Sequence, residues 1–157
     1  MAHLQLLDAH HAPALLQFEL DNREFFARWI PDRGDDYFQH FAERHAALLA
    51  DQAAGLHRFH VLVDHDGTVL GRFNLIDIAD GCAELGYRMA ERATGRGLAK
   101  EGVRQVCELA YAQYGLRRLI ATAGVHNKAS LAVLRGTGFE RVAETDSEIR
   151  HVRVMRG

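Results

Sequence analysis

The stretch YRMAERATGRGLA, residues 87–99, is the most informative part of this 157-residue chain. It ends a predicted strand, carries Gly95 and Gly97 in a tight turn, and leads into an amphipathic helix. Glycine has no Cβ and lets the backbone approach a ligand closely, and the free amides and dipole at a helix start attract an anion. The stretch therefore predicts a site for a pyrophosphate group, although two glycines that merely complete a turn would give the same pattern.

Two other phosphate-binding loops do not fit these residues. A Walker A loop requires G-x-x-x-x-G-K-[ST], a string that the chain does not contain. A dinucleotide-binding fingerprint requires glycine or alanine at the position of Lys100 and follows the first strand of a parallel β-α-β unit. Here the preceding strands are predicted to form hairpins, so the turn belongs to another kind of fold.

The rest of the chain shows strand and helix patterns in a mixed order. Alternating apolar residues predict strands, repeats at i, i+3 and i+4 predict helices, and Asp66-Gly67 predicts a hairpin turn. The predicted strands are His3–Leu7, Arg58–Val63, Val69–Ile78, Cys82–Met89, Leu116–Ala123, Phe139–Ala143 and Ile149–Met155. The predicted helices are Ala12–Asn22, Tyr37–Ala54, Gly97–Tyr114 and Asn127–Arg135, with an irregular segment at Phe25–Asp36. This order predicts a single α/β domain over residues 1–157 with a mixed sheet.

The glycine turn resembles the coenzyme A site of the GCN5-related N-acetyltransferase (GNAT) superfamily. That superfamily carries Q/R-x-x-G-x-G/A at the same strand-to-helix junction, and Arg92, Gly95 and Gly97 match it position by position. The resemblance implies a twisted mixed sheet of about seven strands flanked by about four helices. A splayed central pair, Cys82–Met89 and Leu116–Ala123, would form the notch for acetyl-CoA.

The same resemblance assigns contacts to the coenzyme. The backbone at Met89 would pair with the pantetheine arm, and Arg92 belongs to the matching motif. The turn that would hold the pyrophosphate comprises Gly95, Arg96, Gly97, Leu98 and Ala99.

A second match lies in HNKASLAVLRGTGF, residues 126–139, which resembles the N-x-x-S…G-F signature of the ribosomal-protein-alanine N-acetyltransferases (RimJ/RimL-type). It implies that Asn127 binds the pantetheine or the adjoining strand and that Ser130 lies near the sulfur, although Asn127 also suits a helix N-cap. Many relatives place an acid tyrosine four residues after this serine, but Leu134 stands there, which makes Ser130 the candidate proton donor. The similarity covers nearly the whole chain and is weakest over Asp21–Gly55, where members differ by substrate.

The central strand offers one candidate general base, Glu84. Alternation along Cys82–Met89 turns it away from the apolar face and beside Gly86. A carboxylate in a central strand requires a partner or a wet cleft, and its position resembles that of the catalytic glutamate in histone-modifying relatives. A water-relayed base and a structural salt bridge with Arg72 or Arg88 are both compatible with this position.

The resemblance implies an enzyme in which an amine attacks the acetyl-CoA thioester directly. At neutral pH, deprotonation costs about 4 kcal/mol for a lysine but about 1 kcal/mol or less for an α-amine. We therefore expect acetylation of a protein N-terminus of the ribosomal-protein type, although a glutamate that such relatives often carry near Ile120 is missing. A small-molecule amine, such as an antibiotic or polyamine, is the next candidate acceptor. The missing tyrosine at Leu134 leaves open a non-catalytic acyl-CoA-binding regulatory module.

An aromatic cluster lies between the first predicted helix and the first turn of the second. Its members are Phe25, Phe26, Trp29, Tyr37 and Phe38. Core packing is the commoner role for such a cluster, and the alternative is that it lines an acceptor pocket.

The composition of the chain bears on which classes of partner we expect and on the cellular compartment. The net charge of −2 gives no reason to expect nucleic acid or an anionic membrane as partner, and no window approaches the roughly 18 apolar residues of a membrane span. Cys82 and Cys107 lie within predicted elements, which is typical of a reduced cytoplasmic protein. The ten histidines lack zinc-site spacing, so we expect no metal. A homodimer is compatible with the resembled branch, in which dimers are common.

Overall fold

The computed structural model describes residues 2–156, which form a seven-stranded mixed sheet with flanking helices. The strands are β1 (His3–Leu6), β2 (Arg58–Val63), β3 (Val69–Ala79), β4 (Cys82–Met89), β5 (Arg118–Gly124), β6 (Glu140–Glu144) and β7 (Glu148–Val154). The helices are α1 (Ala12–Asp21), α2 (Arg23–Ala27), α3 (Asp35–Gln39), α4 (Phe41–Ala53), α5 (Leu98–Ala112) and α6 (Lys128–Gly136). The predicted fold class is confirmed, and each strand lies within two residues of its expected bounds.

The sheet contains one parallel pair of neighbouring strands, at its centre. Its order is β1-β2-β3-β4-β5-β7-β6, and every neighbouring pair is antiparallel except β4 and β5. The parallel ladder joins only Cys82–Glu84 to Arg118–Ile120. Beyond Glu84 the two strands separate, which produces the notch that the resemblance implies.

Successive residues of β3 face the two opposite sides of the sheet. Arg72 faces α1, where its Nη1 lies 2.9 Å from Glu19 Oε2. Phe73 faces α5, and a Cβ at Gly102 of that helix would overlap its ring. Phe73 also stacks on Tyr87 of β4, with ring centroids 5.7 Å apart. The sheet therefore has an α1 face and an α5 face, and these two faces take different parts in the site.

The apolar stripe predicted for the helix after the glycine turn is confirmed. The sequence predicts this stripe from Val103, Val106, Leu109 and Ala110, and all of these except the half-buried Leu109 are buried on α5, together with the neighbouring Cys107. Burial raises the pKa of the Cys107 thiol, as expected for a small apolar side chain rather than a nucleophile.

The segment between α1 and β2 differs from the prediction. It contains three helices, α2, α3 and α4, in place of an irregular stretch and one continuous helix, so the described residues form six α-helices rather than about four. Gly34 at φ +87° and the acidic first turn Asp35-Asp36 begin α3, and His40 at φ −111° separates α3 from α4. Arg23 binds both Asp32 and Asp35 across this segment, a long-range pairing that helical periodicity does not predict.

Candidate active site

A cavity of about 600 Å³ opens where β4 and β5 separate. Its volume is typical of a small-molecule or cofactor site. The residues that line it are Phe25, Phe26, Trp29, Ile30, Arg33, Arg72, Asn74, Gly86, Tyr87, Arg88, Met89, Ala93, Thr94, Gly95, Gly97, Leu98, Ala99, Lys100, Asn127, Ala129, Ser130 and Val133. Because the set includes residues of both sheet faces, the cavity reaches through the notch from the α5 face to the α1 face.

On the α5 face, the glycine turn presents free backbone donors. Gly95 and Gly97 have φ angles of +73° and +75°, in the left-handed region that glycine adopts without strain. Within residues 2–156, no protein group accepts a hydrogen bond from the amides of Gly95, Arg96 or Gly97. Leu98 begins the 15-residue α5, so the dipole of a full-length helix adds to these donors. The turn therefore fits a pyrophosphate.

Lys100 adds a positive charge beside this turn. It lines the cavity from the first turn of α5, and its stem passes next to Gly136 of α6. A Cβ at Gly136 would lie 3.3 Å from Lys100 Cε, so the glycine leaves room for the lysine. Sequence reasoning used Lys100 to exclude a dinucleotide fingerprint and missed its place on the cavity wall.

A pair of hydroxyl groups lies at the base of the notch. Tyr87 Oη and Ser130 Oγ are 3.0 Å apart, and this contact joins β4 to α6. Burial raises the pKa of Tyr87, and the hydrogen bond to Ser130 opposes that rise only in part, so the phenol is protonated at neutral pH. Sequence reasoning named Ser130 and missed Tyr87, whose only signal was its place on the strand face opposite Glu84.

The first turn of α6 fixes the position of Ser130. The Ser130 amide donates to Asn127 Oδ1 at 3.2 Å, so Asn127 caps this helix. Leu134, one turn later, is buried in the core. The position that holds a tyrosine in many relatives therefore fills the core here and supplies no hydroxyl group.

The α1 face of the cavity is dominated by arginine. Glu19 is 1% exposed, and its Oε1 accepts from Arg33 at 3.0 Å and from Arg88 at 3.4 Å. Its Oε2 accepts from the buried Arg72. Burial alone would raise the pKa of Glu19, but the three guanidinium groups outweigh it and hold the pKa below its usual value.

Asn74 is also on the α1 face, two positions along β3 from Arg72. Its Oδ1 is buried, and no group in the described part of the chain donates a hydrogen bond to it. The residue opposite it on β4 is Gly86, which has no side chain and leaves the space beside Asn74 open. A buried acceptor without a donor is costly, so this oxygen is suited to a donor on a bound molecule.

The residues named from sequence fall into two groups. Those on the cavity wall are Met89, Gly95, Gly97, Leu98, Ala99, Asn127 and Ser130. Arg92 lies on a neighbouring groove and Arg96 is exposed on the turn. Glu84 is exposed on the α1 face, outside the cavity wall but two residues along β4 from Gly86. Arg72 and Arg88 pair with Glu19, and neither forms the salt bridge with Glu84 that was its structural alternative.

Some members of the aromatic cluster line the cavity, and others pack in the core. Phe25, Phe26 and Trp29 line the cavity, and Trp29 is 55% exposed. Tyr37 is buried and packs edge-on against Phe38 in the core beside α4. The expected core packing therefore describes only part of the cluster.

Residues 2–156 show neither a metal cluster nor a membrane-spanning helix. In that range no group of three or more histidine, cysteine, aspartate or glutamate side chains is placed to hold a metal ion. None of the described helices combines the length and the apolar character that crossing a bilayer requires.

The similarity of this chain to known proteins agrees with the geometry of the cavity. Residues 3–140 match the family model described as an acetyltransferase (GNAT) domain. The probable N-acetyltransferase YjcK of Bacillus subtilis is 26% identical over 144 residues, which cover 86% of this chain and 78% of that protein. A ribosomal-protein-S5-alanine acetyltransferase from Vibrio fischeri has a TM-score of 0.92 at 20% identity, with 98% of this chain and 92% of that chain covered. A spermidine N-acetyltransferase from Vibrio cholerae, solved with CoA and spermine, has a TM-score of 0.81 at 16% identity, with 98% and 95% covered.

The two solved structures show the fold, and the family match extends over most of the sequence. The splayed strands, the glycine turn and the free amides agree with a site for acetyl-CoA. The chain belongs to the GNAT acetyltransferase family, and it is an acetyl-CoA-dependent N-acetyltransferase.

Proposed function

We propose that this enzyme acetylates the α-amine at a protein N-terminus, in the manner of the ribosomal-protein acetyltransferases. The lining of the cavity carries this proposal, because within residues 2–156 it includes no aspartate, glutamate or histidine. A site without its own base suits an acceptor that loses its proton readily. At pH 7.5, roughly one third of an α-amine is neutral, against roughly one in a thousand lysine amines.

The positive charge on the α1 face supports the same acceptor. Nearby guanidinium groups disfavour the protonated form of an amine and lower its pKa. They also repel a polyamine, whose remaining amines stay charged. A small-molecule amine therefore ranks second, and only an acceptor without further positive charge suits this face.

Acetyl-CoA supplies a thioester; the amine nitrogen bonds to its carbonyl carbon while the carbon–sulfur bond breaks, and the thiolate then takes a proton. We propose that Ser130 donates this proton, that Tyr87 Oη, 3.0 Å away, replenishes it, and that water then returns a proton to Tyr87. Because a thiol of pKa near 8.5 leaves readily, a weak donor of this kind is sufficient. The hydroxyl pair favours an enzyme over a non-catalytic acyl-CoA-binding module.

Glu84 is proposed to accept the amine proton through water. It is exposed on the α1 face, about 7 Å along β4 from the cavity residue Gly86. One or two bridging waters can span that separation. An α-amine needs no closer base.

The remaining sequence assignments form the proposed coenzyme site. Met89 and Asn127 would hold the pantetheine arm, and the turn would hold the pyrophosphate through the amides of Gly95, Arg96, Gly97, Leu98 and Ala99. Arg92 and Lys100 would add positive charge around the phosphates. A homodimer and a cytoplasmic location stay predictions from sequence.

Two peptides of identical sequence, each with a single free amine, test the acceptor. One has a free N-terminus and an acetylated lysine side chain, and the other has the reverse, with spermidine as a third acceptor. Free-thiol release at pH 7.5 gives kcat/KM, and mass spectrometry locates the acetyl group. We expect the α-amine peptide to exceed both others by at least about 100-fold, following the neutral fractions.

Raising the pH provides an internal control. Between pH 7.5 and 9.5 the lysine peptide should gain on the α-amine peptide, because the neutral fraction of its amine rises about 90-fold while that of the α-amine rises only about threefold. Equal or better use of the lysine peptide or spermidine at pH 7.5 would contradict the proposal. Acetyl-CoA binding without thiol release from any acceptor would favour the regulatory module.

A further inference from the structure

The α1 face of the cavity holds more positive charge than its structural partner neutralises. Arg33, Arg72 and Arg88 all line the cavity, and all three contact the single carboxylate of Glu19. Within residues 2–156, no other carboxylate lies within salt-bridge distance of these three guanidinium groups. Two positive charges therefore face the cavity without a counter-charge.

We infer that the acceptor carries a carboxylate beside its reactive amine and that Arg88 and Arg33 bind this carboxylate. The inference rests on the proposed function and narrows it, because it selects N-terminal segments with an acidic residue close to the α-amine. Arginine is suited to this task, since its planar guanidinium binds carboxylates through two parallel hydrogen bonds.

The three arginines differ in their freedom to bind a ligand. Arg72 is 6% exposed in its side chain and donates to Glu19 over 2.9 Å, so it is committed to the protein. Arg88 and Arg33 are 21% and 32% exposed. The single Glu19 contact of Arg88 is longer, at 3.4 Å, and its guanidinium lies 4.6 Å above the Phe26 ring at the cavity wall. Arg33 is held over the Tyr37 ring, also at 4.6 Å.

The lowered pKa of Arg88 is consistent with excess positive charge on the α1 face. Burial and the neighbouring Arg33 lower its pKa to about 10, and Glu19 restores only part of the loss. An anion bound next to Arg88 would remove this disadvantage.

The coenzyme phosphates are a poor explanation for these arginines. Arg72 and Arg88 face α1, as their contacts with Glu19 show, whereas Tyr87 faces α6. The glycine turn begins α5, which packs on the Phe73 side of the sheet. The phosphate site and the arginine group therefore occupy opposite faces, and the notch connects them.

Asn74 adds a hydrogen-bond acceptor to the positive charge of the arginines on the α1 face. Its buried Oδ1 has no donor in the described chain, and it shares the α1 face with Arg72 and Arg88. An acceptor that places N–H on Asn74 and a carboxylate on Arg88 satisfies the unpaired oxygen and the excess charge together. An acidic peptide N-terminus has both groups within one or two residues.

The test measures kcat/KM for a set of peptides that differ in one charge. Each carries aspartate, asparagine or arginine at position 2, in one version with a free α-amine and in another with an acetylated N-terminus and a single free lysine amine. Alanine and alanine amide form an additional pair, in which the carboxylate belongs to the amino acid itself. Wild-type enzyme is compared with Arg88→Gln, with Arg33→Gln in case the first variant folds poorly, and with Arg28→Gln as a control. Arg28 is an arginine of the same region that does not line the cavity.

We expect wild type to prefer aspartate over asparagine by about tenfold or more, as for a hydrogen-bonded ion pair. The preference should fall below about twofold in Arg88→Gln or Arg33→Gln and persist in Arg28→Gln. A preference for alanine over its amide would also support the inference and place the carboxylate on a free amino acid. Charge preference in the lysine-amine series alone would overturn the α-amine function but keep the inference. Equal use of aspartate and asparagine in both series together with equal use of alanine and its amide, or no turnover of any acceptor, would overturn the inference.

Discussion

Replacing Glu19 by glutamine should destabilise the protein strongly, because Glu19 is the only carboxylate paired with three arginines in the described chain. Its side chain is 1% exposed, and the partner Arg72 is 6% exposed. Removing one partner of a buried ion pair costs about 3–5 kcal/mol, since the other charge stays buried. Arg33 and Arg88 reach solvent and can relax, so we expect the lower end, about 3 kcal/mol. For a chain of this size that corresponds to a fall in Tm of roughly 6–12 °C.

Urea unfolding followed by circular dichroism measures this loss. Glu24→Gln is the matched control, because Glu24 is exposed on the adjacent helix α2 and should change stability by less than about 0.5 kcal/mol. Adding Arg72→Met to Glu19→Gln should recover most of the loss, since the buried positive charge is then also removed. A Glu19→Gln variant within about 0.5 kcal/mol of wild type would refute the idea that this carboxylate neutralises buried charge.

Three further predictions concern the coenzyme, the proton donor and the stability at low pH. Lys100→Gln should raise the Kd for acetyl-CoA by about five- to tenfold with little change in kcat, as expected for loss of a phosphate contact. The control is Lys128→Gln, at an exposed lysine, which should match wild type when both are measured by calorimetric titration. Tyr87→Phe keeps the ring stacked on Phe73 but should lower kcat roughly tenfold at pH 7, with recovery above pH 9, where the thiolate needs no donor; a flat kcat ratio from pH 6 to 9 would exclude this role. Burial lowers the pKa of His60 to about 4. Below about pH 6.5 the unfolded state therefore binds a proton at this histidine that the folded state does not bind. The free energy of unfolding should fall by about 2 kcal/mol between pH 7 and 5 as a result. Urea titrations at both pH values should show a smaller loss for His60→Gln, and an unchanged loss would assign the pH dependence to other groups.

Most of the sheet could be predicted from sequence because its signals are local. Alternation in β2, β3 and β4 and the turn at Asp66-Gly67 act over a few residues, and the apolar stripe of α5 is regular along its full length. The glycine turn also has a local cause, namely φ angles that other residues rarely adopt. These features fix the fold and the coenzyme side of the site.

The acceptor side and the proposed proton donor depend on contacts that span long stretches of sequence. Glu19 meets Arg72 and Arg88 across 53 and 69 residues, and Tyr87 meets Ser130 across 43. Such pairings depend on how helices pack on the sheet, which periodicity does not encode. For Glu84, alternation predicts the strand face correctly. Its distance from the cavity, however, depends on where the notch between β4 and β5 opens, which alternation does not predict.

Calorimetric titration with acetyl-CoA tests most directly whether the glycine turn holds the coenzyme. The variant is Gly95→Asp with Gly97→Asp, which adds two negative charges and backbone strain at the proposed pyrophosphate site. Its control is Gly55→Asp with Gly115→Asp, two positive-φ glycines away from this cavity that would suffer the same strain. We predict micromolar binding to wild type and control, and its loss in the turn variant at unchanged circular dichroism. Equal binding to all three proteins, or no binding to folded wild type, would contradict the assignment of the turn as the coenzyme site.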